Sequence, residues 1–61
     1  MLQQILALQS ALGISDAQLL HLARTVAGAR VRGLGDMLQV ELFELREELQ
    51  QIAIDEQIRA A

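Results

Sequence analysis

The stretch that follows Asp36 constrains the fold most, because it contains neither glycine nor proline. Those two residues interrupt helices, and without them one helix can run from about residue 37 to about residue 58. At 1.5 Å per residue such a helix is roughly 33 Å long. Its main apolar residues recur in alternating steps of four and three, which is the spacing of a helix-packing seam. They are Leu38, Leu42, Leu45, Leu49 and Ile52.

Two shorter helices are predicted before the long one, over residues 2–12 and 16–27. Gly13 and Gly28 follow them as candidate C-caps, because glycine adopts a left-handed conformation without steric cost. Residues 28–36 then form the only irregular stretch in the chain. The composition agrees with three helices, since hydrophobic residues make up 52% of the 61 residues, aromatic residues only 2%, and proline is absent.

The starts of the second and third helices carry capping signals. Ser15 and Gln18 form a capping box, in which the hydroxyl accepts from the Gln18 amide and the Gln18 side chain reaches back to Ser15. The pair Asp36 and Gln39 has the same spacing, which predicts Asp36 as the cap of the third helix. The sequence therefore predicts an all-α fold, a compact three-helix unit that forms one domain over residues 1–61.

A chain of this length has a small core, which buries only about 60% of the surface that the unfolded chain exposes. Chains below about 70 residues are usually reinforced by disulfides, a metal or oligomerisation. The chain contains no cysteine and one histidine, which excludes disulfides, thiolate metal sites and multi-histidine sites. Well-idealised helix packing and oligomerisation are the reinforcements that remain.

The third helix is too long for two short helices to cover. Its end, from about residue 50 onwards, still carries apolar side chains that need a partner. We expect a second copy of the chain to cover them, giving a homodimer through the third helix. The predicted interface consists of Leu38, Leu42, Leu45, Leu49, Ile52, Ile54 and Ile58.

Arg24, Arg30 and Arg32 fall within nine residues, whereas the third helix is rich in acidic residues. The arginines serve charge balance and loop solubility on one interpretation. On the other they form a contact patch for an acidic protein partner, for the third helix of a second copy, or for phosphates. Val31 and Leu34, from the same region, are predicted to point inward as anchors of the loop.

No pattern of residues predicts catalysis, a metal site or a cofactor. His21 has no serine or carboxylate at the spacing of a catalytic site, and we expect it at the surface or at the boundary of the core. The carboxylates of the third helix alternate with Arg46 and Arg59 at helical spacings of three or four, which is typical of a solvated helix face. The chain is therefore predicted not to be an enzyme.

The net charge of −3 disfavours a protein whose binding rests on phosphate neutralisation. The segment after Met1 lacks the basic start of a signal peptide, and no run of 18 apolar residues predicts a membrane span. We expect a cytoplasmic protein, and the initial methionine favours a whole protein over an excised domain.

Residues 8–19 read LQSALGISDAQL, which resembles the L-x-x-x-L-G-[IL]-S-D-x-x-L stretch of a small helical tail domain. In that domain a glycine ends the second helix and a leucine-rich stretch follows. Comparable places are occupied here by Gly28 and then by residues 34–41 and 45–49. Such tails belong to phage and bacterial DNA-recombination proteins, including single-strand-annealing ones. The resemblance covers about residues 2–50 and implies an accessory module, although the lysines of those tails and a recombinase domain are missing. It implies no functional residue.

The leading hypothesis is a non-enzymatic module for protein–protein interaction or oligomerisation, such as a small adaptor or regulator of a larger protein. The alternative is a small nucleic-acid-associated accessory protein in recombination or transcription that uses the arginines. A protein lying on a membrane surface is a third possibility, which the acidic polar face of the third helix disfavours.

Overall fold

A computed structural model describes residues 1–60 of the chain. It contains helices α1 (Leu2–Leu12), α2 (Asp16–Ala27) and α3 (Gln39–Ala60), with a short 3-10 turn at Leu34–Asp36 between α2 and α3. Residues 1–60 contain no strand. The predicted all-α fold with a long third helix is confirmed.

The connection between α1 and α2 forms as the sequence predicts. Gly13 has φ +68° and ψ +29°, the left-handed conformation, and its N–H and that of Ile14 donate to carbonyls at the end of α1. Ser15 then caps α2: its Oγ accepts from the Gln18 N–H at 3.2 Å, and Gln18 Oε1 accepts from the Ser15 N–H at 2.9 Å. The reciprocal pair supplies partners for two N–H groups that an α-helix leaves free at its start.

The start of α3 differs from the prediction. Asp36 belongs to the 3-10 turn and does not cap the helix, because its Oδ2 accepts from the backbone N–H of Arg32 at 3.0 Å. Met37 is extended and buried, and α3 begins at Gln39. The side chain that reaches back over the first turn is Glu41, whose Oε1 accepts from the Leu38 N–H at 2.8 Å.

The long helix packs against both short ones. Gln4, near the start of α1, contacts Arg46, and Ile14, just after α1, shares a groove with Ile52. Helix α1 therefore runs along α3 in the same direction, and α2 returns in the opposite one. The molecule measures 38 × 20 × 18 Å, and α3 accounts for its long dimension.

The core consists of seven buried apolar residues contributed by all three helices and the connecting loop. Val31, the predicted loop anchor, is fully buried, and Leu34 packs against the core from outside. The core residues are Ile5, Leu19, Ala23, Val31, Met37, Leu45 and Leu49. No polar or charged residue among those described is buried with them, so burial of apolar surface is the main stabilising contribution.

Candidate interaction surface

Helix α3 carries apolar residues on two opposite faces. The inner face is the predicted seam: Leu45 and Leu49 are fully buried, and Leu42 and Ile52 are partly buried against the core. Leu38, which lies before the helix, is exposed. The seam therefore binds α1 and α2 of the same chain.

This burial places four residues of the predicted oligomer interface against the core of their own chain. Leu45 and Leu49 cannot touch a second copy while the fold is intact, and little of Leu42 and Ile52 is accessible. Ile54 and Ile58 remain on the surface. The uncovered part of α3 also begins later than predicted, because every residue from Ile54 to Ala60 is exposed but Ile52 and Ala53 are not.

We define the outer stripe as six residues of α3 that recur in steps of three and four on the face opposite the core: Val40, Phe43, Glu47, Gln51, Ile54 and Ile58. Successive residues in an α-helix are about 100° apart, so Ile54, nine residues after the buried Leu45, lies half a turn away from it. The four apolar members are exposed to 61%, 42%, 50% and 69% in chain order. Helix α3 thus has a second apolar face that the fold leaves uncovered.

Arg46 fixes the position of Phe43 on the outer stripe. Its guanidinium carbon lies 4.8 Å from the centre of the Phe43 ring, a cation–π distance. Its Nη1 donates to Gln4 Oε1 at 2.7 Å. Arg46 therefore links α1 to the outer face of α3, although its buried Nε has no hydrogen-bond partner among residues 1–60.

Arg30, one of the three predicted contact arginines, holds the loop to α3. Its Nη1 donates to the carbonyl of Asp36 at 3.0 Å, and its Nη2 forms a salt bridge with Glu41. The hydrogen bonds from Arg30 and from the Leu38 N–H, together with the positive charge of Arg30, lower the pKa of Glu41 below its ordinary value of 4.5. Arg30 thus has a structural role.

The other two arginines, Arg24 and Arg32, precede and follow Arg30 in the chain, and both are exposed. Arg24 Nη2 donates to the carbonyl of Ala29 at 3.4 Å, a long hydrogen bond that closes the end of α2. Within residues 1–60 the Arg32 side chain has no hydrogen bond or ion pair, and it lines a groove of about 270 Å³ with Leu6 and Leu34. All three arginines are exposed, and Arg30 is the one that forms an ion pair within residues 1–60.

His21 is exposed at the rim of a second, open groove of about 470 Å³, whose floor includes Leu22 and Ile52. Among residues 1–60 no group of three histidine, aspartate or glutamate side chains could hold a metal ion. In that same part of the chain, no helix is both long and apolar enough to cross a membrane.

No protein-family model, curated protein or solved structure gave a significant match to the chain. The resemblance of residues 2–50 to tails of DNA-recombination proteins therefore stays a prediction.

Val40 and Phe43 were not among the residues of the interface predicted from the sequence, which was centred on the regularly spaced leucines of the seam. The signal was present: residues 40, 43, 47, 51, 54 and 58 also follow steps of three and four, but Glu47 and Gln51 interrupt the apolar character in the middle.

Proposed function

We propose that the chain is a non-enzymatic protein–protein interaction module that binds its partner through the outer stripe of α3. The observation that supports this proposal is the exposure of four large apolar side chains in line on one helix face. Exposed apolar side chains grouped on one face mark interaction sites, whereas single exposed apolar residues need no explanation. A small adaptor or regulator that docks on a larger assembly would present such a face.

The mode of recognition is helix against helix. Anchors spaced by three and four residues are those by which one helical face is recognised by another helix or by a groove. The outer stripe extends from Val40 to Ile58, a difference of 18 positions, or about 27 Å at 1.5 Å per residue. A partner can bind it without opening the core, since the inner face of α3 is a separate surface.

Site-specific photocrosslinking in cells that produce the protein tests this function. A photoreactive amino acid at position 43 or 54 lies on the outer stripe, and one at Gln3, which is exposed on α1, serves as the control. We expect protein adducts from positions 43 and 54 and none from position 3. Absence of adducts at both stripe positions would contradict the proposed function.

Nucleic-acid binding is the alternative, and the unpaired side chain of Arg32 within the described residues is the observation that favours it. A fluorescence anisotropy titration with labelled single- and double-stranded DNA tests it. Binding that weakens steeply with salt, and weakens further in Arg32→Ala but not in Arg59→Ala, supports this alternative. The engagement of Arg30 with Glu41 and the net charge of −3 oppose it.

A further inference from the structure

The outer stripe has the same pattern when it is followed from either end of α3. Two apolar residues come first, two polar residues lie in the middle, and two apolar residues come last. Val40 and Ile58 have their midpoint at residue 49, and so do Glu47 and Gln51. The midpoint of Phe43 and Ile54 lies half a residue earlier. The members in chain order are Val40, Phe43, Glu47, Gln51, Ile54 and Ile58.

This symmetry is what a two-fold interface requires. In such an interface the same patch is used twice, so that if residue i contacts residue j of the other copy, residue j contacts residue i. A two-fold axis at the level of residue 49 places Val40 against Ile58 of the partner subunit and Phe43 against Ile54 of the partner subunit. Apolar residues then meet apolar residues at both ends of the stripe.

The charge of Glu47 selects the orientation of the two helices. In a parallel pair at equal height, Glu47 would face Glu47 of the partner subunit, and the like charges would repel. In the antiparallel pair, Glu47 lies near Gln51 of the partner subunit, whose side-chain amide can donate to the carboxylate. The polar centre of the stripe therefore favours the antiparallel arrangement.

We propose that the occupant of the outer stripe is a second copy of this chain, packed through α3 in antiparallel orientation about a two-fold axis near residue 49. This inference rests on the proposed function and names the partner of the same surface. An unrelated apolar helix could cover either apolar pair, Val40 with Phe43 at one end of the stripe or Ile54 with Ile58 at the other. The second copy matches the stripe at every position, the polar centre included, and leaves both cores closed.

Disulfide trapping tests the arrangement, because the natural chain contains no cysteine. Val40→Cys and Ile58→Cys are made separately, and both sites are exposed, so neither change disturbs the core. A disulfide requires Cα atoms within about 7 Å. In the antiparallel pair residues 40 and 58 of the two copies meet, whereas in a parallel pair they are roughly 27 Å apart along the helices.

We expect a covalent dimer when the two variants are mixed and oxidised, with the mass of one copy of each, and none from either variant alone. Mixing Ile58→Cys with Ser10→Cys, which lies on the exposed surface of α1, serves as the control and should give no product. Circular dichroism of each variant verifies that the helices are intact.

Two results would overturn the proposal. Covalent dimers from each variant alone, with none of the mixed product, mean a parallel pair. No product in any sample means that the stripe does not bind a second copy. In that second case, the in-cell crosslinks at positions 43 and 54 test the proposed function separately. An adduct to a different protein would support an interaction module that uses the stripe, whereas no adduct would contradict the proposed function too.

Discussion

The guanidinium of Arg46 stacks 4.8 Å from the ring centre of Phe43. The same group donates to Gln4 of α1, so a single side chain connects a short helix to an exposed aromatic ring on the outer stripe. This arrangement holds the Phe43 ring in one place before any partner binds. A preorganised side chain loses less conformational freedom on binding than a mobile one.

The contacts of Arg46 predict that truncating its side chain makes the folded protein less stable. Arg46→Ala removes the cation–π contact and the hydrogen bond to Gln4, and should lower the free energy of unfolding by about 1–2 kcal/mol. Arg46→Met keeps the apolar part of the side chain and removes the unpartnered Nε, so it should cost less. Urea unfolding measures both. The exposed Arg59→Ala is the control, and an equal loss in all three variants would contradict this role for Arg46.

Truncation of a side chain should lower the free energy of unfolding strongly on the inner face of α3 and little on its outer face. Leu45→Ala or Leu49→Ala leaves a cavity in the core and should cost about 2–5 kcal/mol. Val40→Ala, on the outer stripe, should change the free energy of unfolding of the monomer by no more than about 0.5 kcal/mol. Chemical denaturation at low protein concentration measures each change. A cost for Val40→Ala as large as that for Leu45→Ala would mean that the outer stripe is packed within the chain.

The capping box at the start of α2 is the clearest local signal in the sequence, and it predicts a stability effect. Ser15→Ala removes the acceptor for the Gln18 N–H and should cost about 1 kcal/mol. Ser10→Ala, at an exposed position within α1, replaces serine by a better helix former and should not destabilise the protein. Thermal unfolding of the two variants provides the comparison. Equal melting temperatures would show that the box contributes nothing.

The salt bridge between Arg30 and Glu41 predicts a dependence of stability on pH. The pKa of Glu41 is lower in the folded chain than its ordinary value of 4.5, so the folded state binds this proton less readily than the unfolded state. The stabilisation is therefore fully present above pH 4.5 and is lost as the pH falls through the lowered pKa.

Glu41→Gln should consequently destabilise the protein at about pH 7 and have a smaller effect at a pH below the lowered pKa of Glu41, where the carboxyl group is protonated in both states. Urea unfolding at the two pH values measures this, with Glu48→Gln, a change at an exposed carboxylate, as the control. A loss that is the same at both pH values would show that the charge of Glu41 is not the cause.

Local signals in the sequence predicted the local structure well. Gly13, Ser15 and Gln18 determine the connection between α1 and α2 through contacts within a few residues, and the bounds of both helices agree with the prediction. The start of α3 was harder to predict, because the Asp36 carboxylate has two possible donors close by in the chain, the Arg32 N–H and the N–H groups of the first turn of α3. Its carboxylate accepts from the Arg32 N–H and not from the first turn of α3, and only the path of the loop decides between them.

The role of each face of α3 could not be predicted from spacing alone. Leu45 and Leu49 follow the same rule of threes and fours as Phe43 and Ile54. A helix with apolar residues on two opposite faces does not indicate which face its own chain covers. That depends on how α1 and α2 pack, and the denser run of leucines on the inner face buries the larger apolar surface.

The solution mass across a wide concentration range, at low and high salt, tests the central claim most directly. Light scattering should show a rise from the monomer mass to twice that mass, and the dimer should persist at high salt because its contacts are mainly apolar. Ile58→Glu should stay monomeric with its helices intact, whereas Ala60→Glu, which adds the same charge two residues away, should still dimerise. A wild-type monomer at every concentration, or an Ile58→Glu variant that dimerises as well as the wild type, would contradict the account.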